Sequence, residues 1–288
     1  MIALGYHDAV HPGAFDASGF SGRSAGSYKL LITNFEAHLR AVSAVVVRRA
    51  TVTDLSLDGE DSVLLTFDDG GISAYTEIAD RLESNGWRGH FFIATDYIGK
   101  PGFLSNSQIA ELHRRGHVIG GHSCSHPLYM ARCSAQELLR EWSECTLRLS
   151  DIIGTAVTVA SVPGGMTSAA VADAAASAGV RYLFTSEPVT RPVPHGPCVL
   201  LGRFHMRTGM SPSLAGALAM GKLAPRARLW LAWNAKSFAK RGAVRLYDRL
   251  REGFFARYRV GVPGVSAASE LTPQPSATLA NDDRSSRR

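Results

Sequence analysis

Short β-type runs, IALGY, SVLLTF, HFFIA, HVIG, VTVAS, RYLFT and VLLGRF, recur along the first two hundred residues with helix-like segments between them. Strand alternating with helix restricts a chain to parallel βα units, because parallel neighbours need a long crossover to return to the same edge. The helix-like segments carry their own punctuation. Thr33 to Glu36, Ser105 to Gln108 and Ser134 to Glu137 have capping-box spacing, and Ile78, Ala79 and Leu82 fall on one face of a helix expected between Ser73 and Asn85. At 288 residues and 45% hydrophobic content, the chain can bury a large core as one α/β domain or two smaller ones.

The run LLTFDDGG ends in two adjacent carboxylates, Asp68 and Asp69, where a strand stops. Adjacent acids repel and resist burial, so water, a proton or a cation must accommodate them. On their own they read better as a turn followed by a helix cap. HSCSHP adds His122 and His126, four residues apart, which on a helical turn would share a face. Asp69, His122 and His126 could then give one oxygen and two nitrogens to a divalent ion, leaving Asp68 free as a base. Cys124, between the two histidines, is expected to face the core. Further polar candidates, His7, Asp96, Ser161 and His205, also follow strand-like runs, and in a parallel barrel such ends form the rim that carries active sites.

With TFDDG at Thr66 to Gly70 and HSCSHP at His122 to Pro127, in this order and spacing, the sequence resembles the polysaccharide deacetylases, carbohydrate esterases that include chitooligosaccharide and peptidoglycan N-deacetylases. The resemblance spans roughly Ile2 to His205. It implies a distorted (β/α) barrel with seven strands and metal-dependent hydrolysis of acetamido groups on sugars. By motif position Asp68 would be the general base and Asp69, His122 and His126 the metal ligands. Gly164, after Pro163, would offer the oxyanion its backbone N–H, and His205 would be the general acid. The third motif departs from the pattern: ASVPGG has Ser161 where an arginine normally orients the base, and Arg203 is a candidate replacement from a neighbouring strand end. Tyr6, His7 and the stretch Phe184 to Pro188 resemble a bacterial subgroup found near exopolysaccharide synthesis. The implied cofactor is one divalent ion, zinc by expectation, with cobalt, nickel or manganese also admitted by the donor set. The implied substrate is an N-acetylated amino sugar in a glycan, a lipid-linked precursor or a small glycoconjugate.

Charge is unevenly placed. The chain is +6, yet residues 221–262 hold eleven Lys or Arg against two Asp or Glu, so that segment is +9 and the remainder −3. The expected organisation is a catalytic barrel over 1–220, a basic amphipathic helical segment over 221–262 and a disordered tail over 263–288. A confined basic helix suits an anionic membrane surface, with no nucleic-acid partner expected. The N-terminus lacks a signal-peptide pattern, and Cys124, Cys133, Cys145 and Cys198 have no CxxC spacing, which suits buried thiols in a reducing compartment. The expected location is cytoplasmic, peripheral to the inner face of the membrane. Besides the enzyme, two readings stay open: a metal- and carbohydrate-binding barrel without turnover, and a membrane-surface protein acting through the basic segment.

Overall fold

The computed structural model describes residues 1–46, 48–54 and 62–242, the last seven by backbone alone. Its strands are β1 (Ile2–Tyr6), β2 (Ala9–Val10), β3 (Leu30–Leu31), β4 (Arg48–Arg49), β5 (Ser62–Phe67), β6 (Gly89–Ile93), β7 (Val118–Gly121), β8 (Val159–Ser161), β9 (Tyr182–Phe184), β10 (Val193–His195), β11 (Cys198–Leu201) and β12 (Phe204–His205). The helices are α1 (Arg23–Gly26), α2 (Ile32–Ser43), α3 (Ala79–Ser84), α4 (Asn106–Arg114), α5 (Ala135–Ile153), α6 (Ala169–Ser177), α7 (Pro212–Ala219) and α8 (Leu223–Gly242).

Among the described residues one curled sheet holds ten strands along the path β10-β11-β9-β8-β7-β6-β5-β1-β12, with β4 beside β5. Its pairings are parallel apart from β10–β11, and β2 pairs with β3 separately. The sheet therefore exceeds the seven strands expected, and the reason is local. VLLGRF, read as one strand, breaks at Gly202 and Arg203. The part before the break pairs with β9 and the part after it with β1, so the chain itself bridges the two ends of the curled sheet. Gly202 makes the crossing possible, since a Cβ there would lie 2.4 Å from the Glu187 carbonyl.

Alternation along β5 sorts its side chains. Val63, Leu65 and Phe67 join the core beneath the helices, with Tyr6, Phe35 and Phe91, while Leu64 points into the curl with Ala3, Phe92, Val159, Phe184 and Leu201. Thr66 and Asp68 continue the inward set. Burying a Leu or Phe side chain contributes roughly 1.5–3 kcal/mol, so this apolar plug gives the interior polar residues a rigid floor. α5 closes one flank with Leu138, Trp142, Cys145 and Leu149 buried.

Local expectations fare unevenly. Ser105 and Ser134 both form complete capping boxes. Thr33 does not, because the helix starts at Ile32, straight out of β3, with Leu31 at the cap position and no side-chain cap. The helix expected from Ser73 opens with a π-helical turn, Ala74–Ile78, and Ile78, Ala79 and Leu82 are buried as read. Cys124, Cys145 and Cys198 are buried free thiols, and Cys133 is half-buried. In the basic segment α8 exposes Leu223, Trp230 and Leu231. The rest of the basic segment, 243–262, and the tail over 263–288 lie outside the described residues. No described helix is long and apolar enough to cross a membrane.

Two buried histidines make the fold acid-sensitive. His90 Nε2 accepts the Val52 N–H and its Nδ1 meets the Leu65 carbonyl, while His117 Nδ1 accepts the Gly89 N–H and its Nε2 meets Glu83. Each ring has one nitrogen committed as an acceptor, so protonation breaks a backbone hydrogen bond. Burial pushes both to about 4, against the Leu65 carbonyl and Asp54 for His90 and against Glu83 for His117, with Arg203, and Arg88 and Arg115, adding to the lowering respectively. The unfolded chain then binds more protons between about pH 6.5 and 4, and stability falls as pH drops through that window. Urea midpoints measured at pH 7 and pH 5 should show this fall, and His117→Gln should show a smaller one.

Candidate active site

β5 delivers both aspartates to the rim, but in different conformations. Asp68 stays in register, its N–H donating to the Tyr6 carbonyl at 3.0 Å. Asp69 turns into the left-handed region at φ +79°, which swings its carboxylate away from that of Asp68. Two neighbours in sequence thus serve two separate clusters.

The first cluster is Asp69, His122 and His126. The histidines are not on a helical turn, as their spacing suggested. They lie in an irregular loop after β7, in which Ser123 and His126 take positive φ and the His126 N–H donates to Ser123 Oγ at 3.1 Å. The loop is held by Glu141 of α5, which accepts from the N–H groups of Cys124 and Ser125 and from Ser125 Oγ. His122 Nδ1 lies 2.9 Å from the Ser161 carbonyl, which can only accept, so the proton sits on Nδ1 and Nε2 presents a lone pair. His122 Nε2 and His126 Nε2 each lie 3.4 Å from Asp69 Oδ1. That is long for an N–H···O bond, yet donors about 2.1 Å from a shared tetrahedral ion stand roughly 3.4 Å apart. One donor atom from each residue falls within 4.8 Å of the others, so the set fits a divalent ion. Burial would raise the Asp69 carboxyl, but His7, His122 and His126 outweigh it and hold it well below the usual carboxylate range.

The second cluster is Asp68, Arg203, Ser161, His7 and His205. Arg203 is fully buried and makes a bidentate pair with Asp68, Nη1 to Oδ1 at 2.7 Å and Nη2 to Oδ2 at 2.9 Å. Its other donors go to Thr66 Oγ1, Ser161 Oγ and the Thr185 carbonyl, so all five N–H groups are used. Phe92 and Phe184 lie 5.5 and 5.8 Å from the guanidinium carbon. Ser161 donates its hydroxyl to Asp68 Oδ1 at 3.1 Å. Burial would raise the Asp68 carboxyl, but Arg203, with His122 and His7, holds it below the ordinary range.

His205 Nε2 is hydrogen-bonded to Ser186 at 3.0 Å, and its ring crosses β1 where Gly5 has no side chain; a Cβ there would meet Nδ1 at 2.7 Å. His205 Nδ1 and His7 Nδ1 are buried without a protein partner, the mark of a site whose remaining contacts come from elsewhere. Burial pushes His7 down, against Asp69 and Asp68, and pushes His205 well down, with Arg203 adding and Asp68 opposing. Single donor atoms of His7, Asp68 and His205 also fall within 4.8 Å of one another, but the guanidinium on Asp68 opposes a cation there. Gly164 sits on the turn Pro163–Gly165 leaving β8, beside the Leu128 carbonyl of the histidine loop. Asp96 stands apart, exposed on the turn Thr95–Tyr97.

Gly5, Thr66, Thr185 and Ser186 were given no role of their own from the sequence, although Thr66 opens TFDDG and Thr185 and Ser186 lie in the stretch Phe184 to Pro188. For Gly5 the local signal was a glycine within the apolar IALGY.

Residues 57–183 match the Polysaccharide deacetylase family model. Over this region the chain is similar to the polysaccharide deacetylases. It is 26% identical over 201 residues to the protein YxkH of Bacillus subtilis (strain 168), covering 67% of this chain and 71% of that one. It is 30% identical over 105 residues to a chitin deacetylase of Pestalotiopsis sp, covering 36% of this chain and 35% of that enzyme. In fold it is similar to IcaB from Ammonifex degensii, with a TM-score of 0.63 at 22% identity over 76% of this chain and 96% of that one.

The separation into two clusters is testable by metal content. Asp69→Ala, His122→Ala and His126→Ala should each lower divalent-ion affinity at least tenfold by isothermal titration. Asp68→Asn should bind metal as the parent does and lose most turnover. Metal loss confined to Asp68→Asn would reverse the assignment.

Proposed function

We propose that the chain hydrolyses the acetamido group of an N-acetylated amino sugar, in a glycan, a lipid-linked glycan precursor or a small glycoconjugate, with one divalent ion held by Asp69, His122 and His126. The observation that carries this is the pair of 3.4 Å separations from Asp69 Oδ1 to two histidine Nε2 atoms, beside a carboxylate that Arg203 keeps anionic. An ion bound there would polarise the acetyl carbonyl and acidify a water.

Asp68 would take the proton of that attacking water. Its Oδ1 accepts from both Arg203 and Ser161 whereas Oδ2 accepts from Arg203, so Oδ2 has more capacity left for the proton. A carboxylate held so low is a weak base, which suits a water already made acidic. His205 would supply the leaving nitrogen with its proton. Burial pushes the His205 ring well down, so its proton would have to arrive within the turnover; Asp68 and His7 both have a side-chain atom within 4.8 Å of it. The Gly164 N–H would face the developing oxyanion. Arg203 fills the role left open by Ser161, which favours turnover over a binding-only barrel.

Acetate release from a panel of N-acetylated sugars by the metal-reconstituted protein tests this reading, and no release from any of them would sink it. His205→Ala should keep its metal and slow amide hydrolysis by roughly 10²- to 10⁴-fold. An activated aryl acetate, whose leaving group needs little protonation, should be hydrolysed nearly as fast as by the parent. Equal losses on both substrates would move His205 to a wall role.

A further inference from the structure

The segment between β2 and α1 crosses the rim next to the candidate metal ligands, and it is tied down in an unusual way. Lys29, 1% exposed, directs its Nζ at three backbone carbonyls of that segment, Phe15 at 2.6 Å, Ser18 at 2.6 Å and Phe20 at 2.5 Å. Three acceptors on one nitrogen require three N–H donors, hence the ammonium form. Asp8 makes the second tie: its Oδ1 accepts from Ser18 Oγ at 2.5 Å and from Ser73 Oγ at 2.7 Å, which joins the segment to the turn after Asp69. A third is the Gly19 N–H, which donates to the Gly102 carbonyl at 2.8 Å. The ties converge on one side chain. Phe20 packs 4.7 Å from the His126 ring and is backed edge-on by Tyr97 at 4.6 Å and Phe103 at 5.2 Å.

We propose that Lys29 is a positioning residue for the metal site: its buried ammonium gathers segment 15–20 so that Phe20 lies against His126 and fixes the ring that must face Asp69. His122 is oriented by a hydrogen bond to Ser161. His126, on a left-handed residue in an irregular loop and partly open to solvent, is oriented by packing from a segment that Lys29 holds. The role of Lys29 is thus indirect, acting through Phe20, and it follows that removing either should do the same thing.

The inference rests on the metal reading of Asp69, His122 and His126, so the test has one arm with metal and one without. In the metal-free full-length protein, the Phe20 ring shifts the His126 Cε1 proton resonance; Lys29→Met should move that resonance to the position it takes in Phe20→Ala, although Lys29 does not touch His126. In metal titrations, Lys29→Met and Phe20→Ala should each weaken Kd about tenfold, the lower end of the cost of losing a partner that orients a ligand. The double variant should also lose about tenfold, because the two act in series. Phe20→Leu should recover part of the loss. A His126 resonance that stays at the parental position in Lys29→Met overturns the proposal, as does a hundredfold loss in the double variant. Phe20 is half-exposed and its side chain has no hydrogen bond to lose, so parental affinity in Phe20→Ala overturns it even if Lys29→Met fails to fold.

Discussion

The buried pair between Asp68 and Arg203 is the interaction on which the rim depends. Removing two charges from water costs several kcal/mol per ion, and only good geometry with every donor satisfied offsets it. Here the guanidinium spends all five N–H groups on Asp68, Thr66, Ser161 and Thr185, beside the rings of Phe92 and Phe184. Arg203 also sits in the two-residue step by which the chain crosses from the β9 side of the sheet to β1. The same contact therefore holds Asp68, the proposed base, and ties together β5, β8, β9 and the seam of the curl.

That pair also divides the labour of the rim. With Asp68 neutralised by Arg203, a cation is disfavoured on that side and favoured around Asp69, whose neighbours are imidazoles with lone pairs to give. The left-handed turn at Asp69 separates the carboxylates so that one can meet a metal and the other a proton. Ser161 links the halves, since its carbonyl orients His122 and its hydroxyl meets Asp68 and Arg203.

Much of this was legible in the sequence. Period and punctuation located the parallel strands, and DD with HxxxH pointed to the proposed ligand set, whose three side chains the fold does bring together. The strand break at Gly202 was missed: the interior glycine of VLLGRF was its one local signal, and the tertiary need to span the seam is what splits the run. The histidine loop was misread as helical because a four-residue spacing does not reveal the positive φ at Ser123 and His126. Thr33 failed as a cap because Ile32 is drawn into the core from β3, which overrides a local signal. Lys29 carried no signal at all: a lysine before LLI reads as a solvated flank, and its three carbonyl partners come together only when the segment 9 to 14 residues upstream folds around it.

The most direct test of the account is Arg203→Lys, which keeps the charge but cannot form the two-pronged contact. Metal affinity should match the parent's, and acetate release from an N-acetylated sugar and from an aryl acetate should fall together, by tenfold or more, because the base rather than the acid is disturbed. Parental turnover on both substrates would contradict the claim that Arg203 holds Asp68 in its working position.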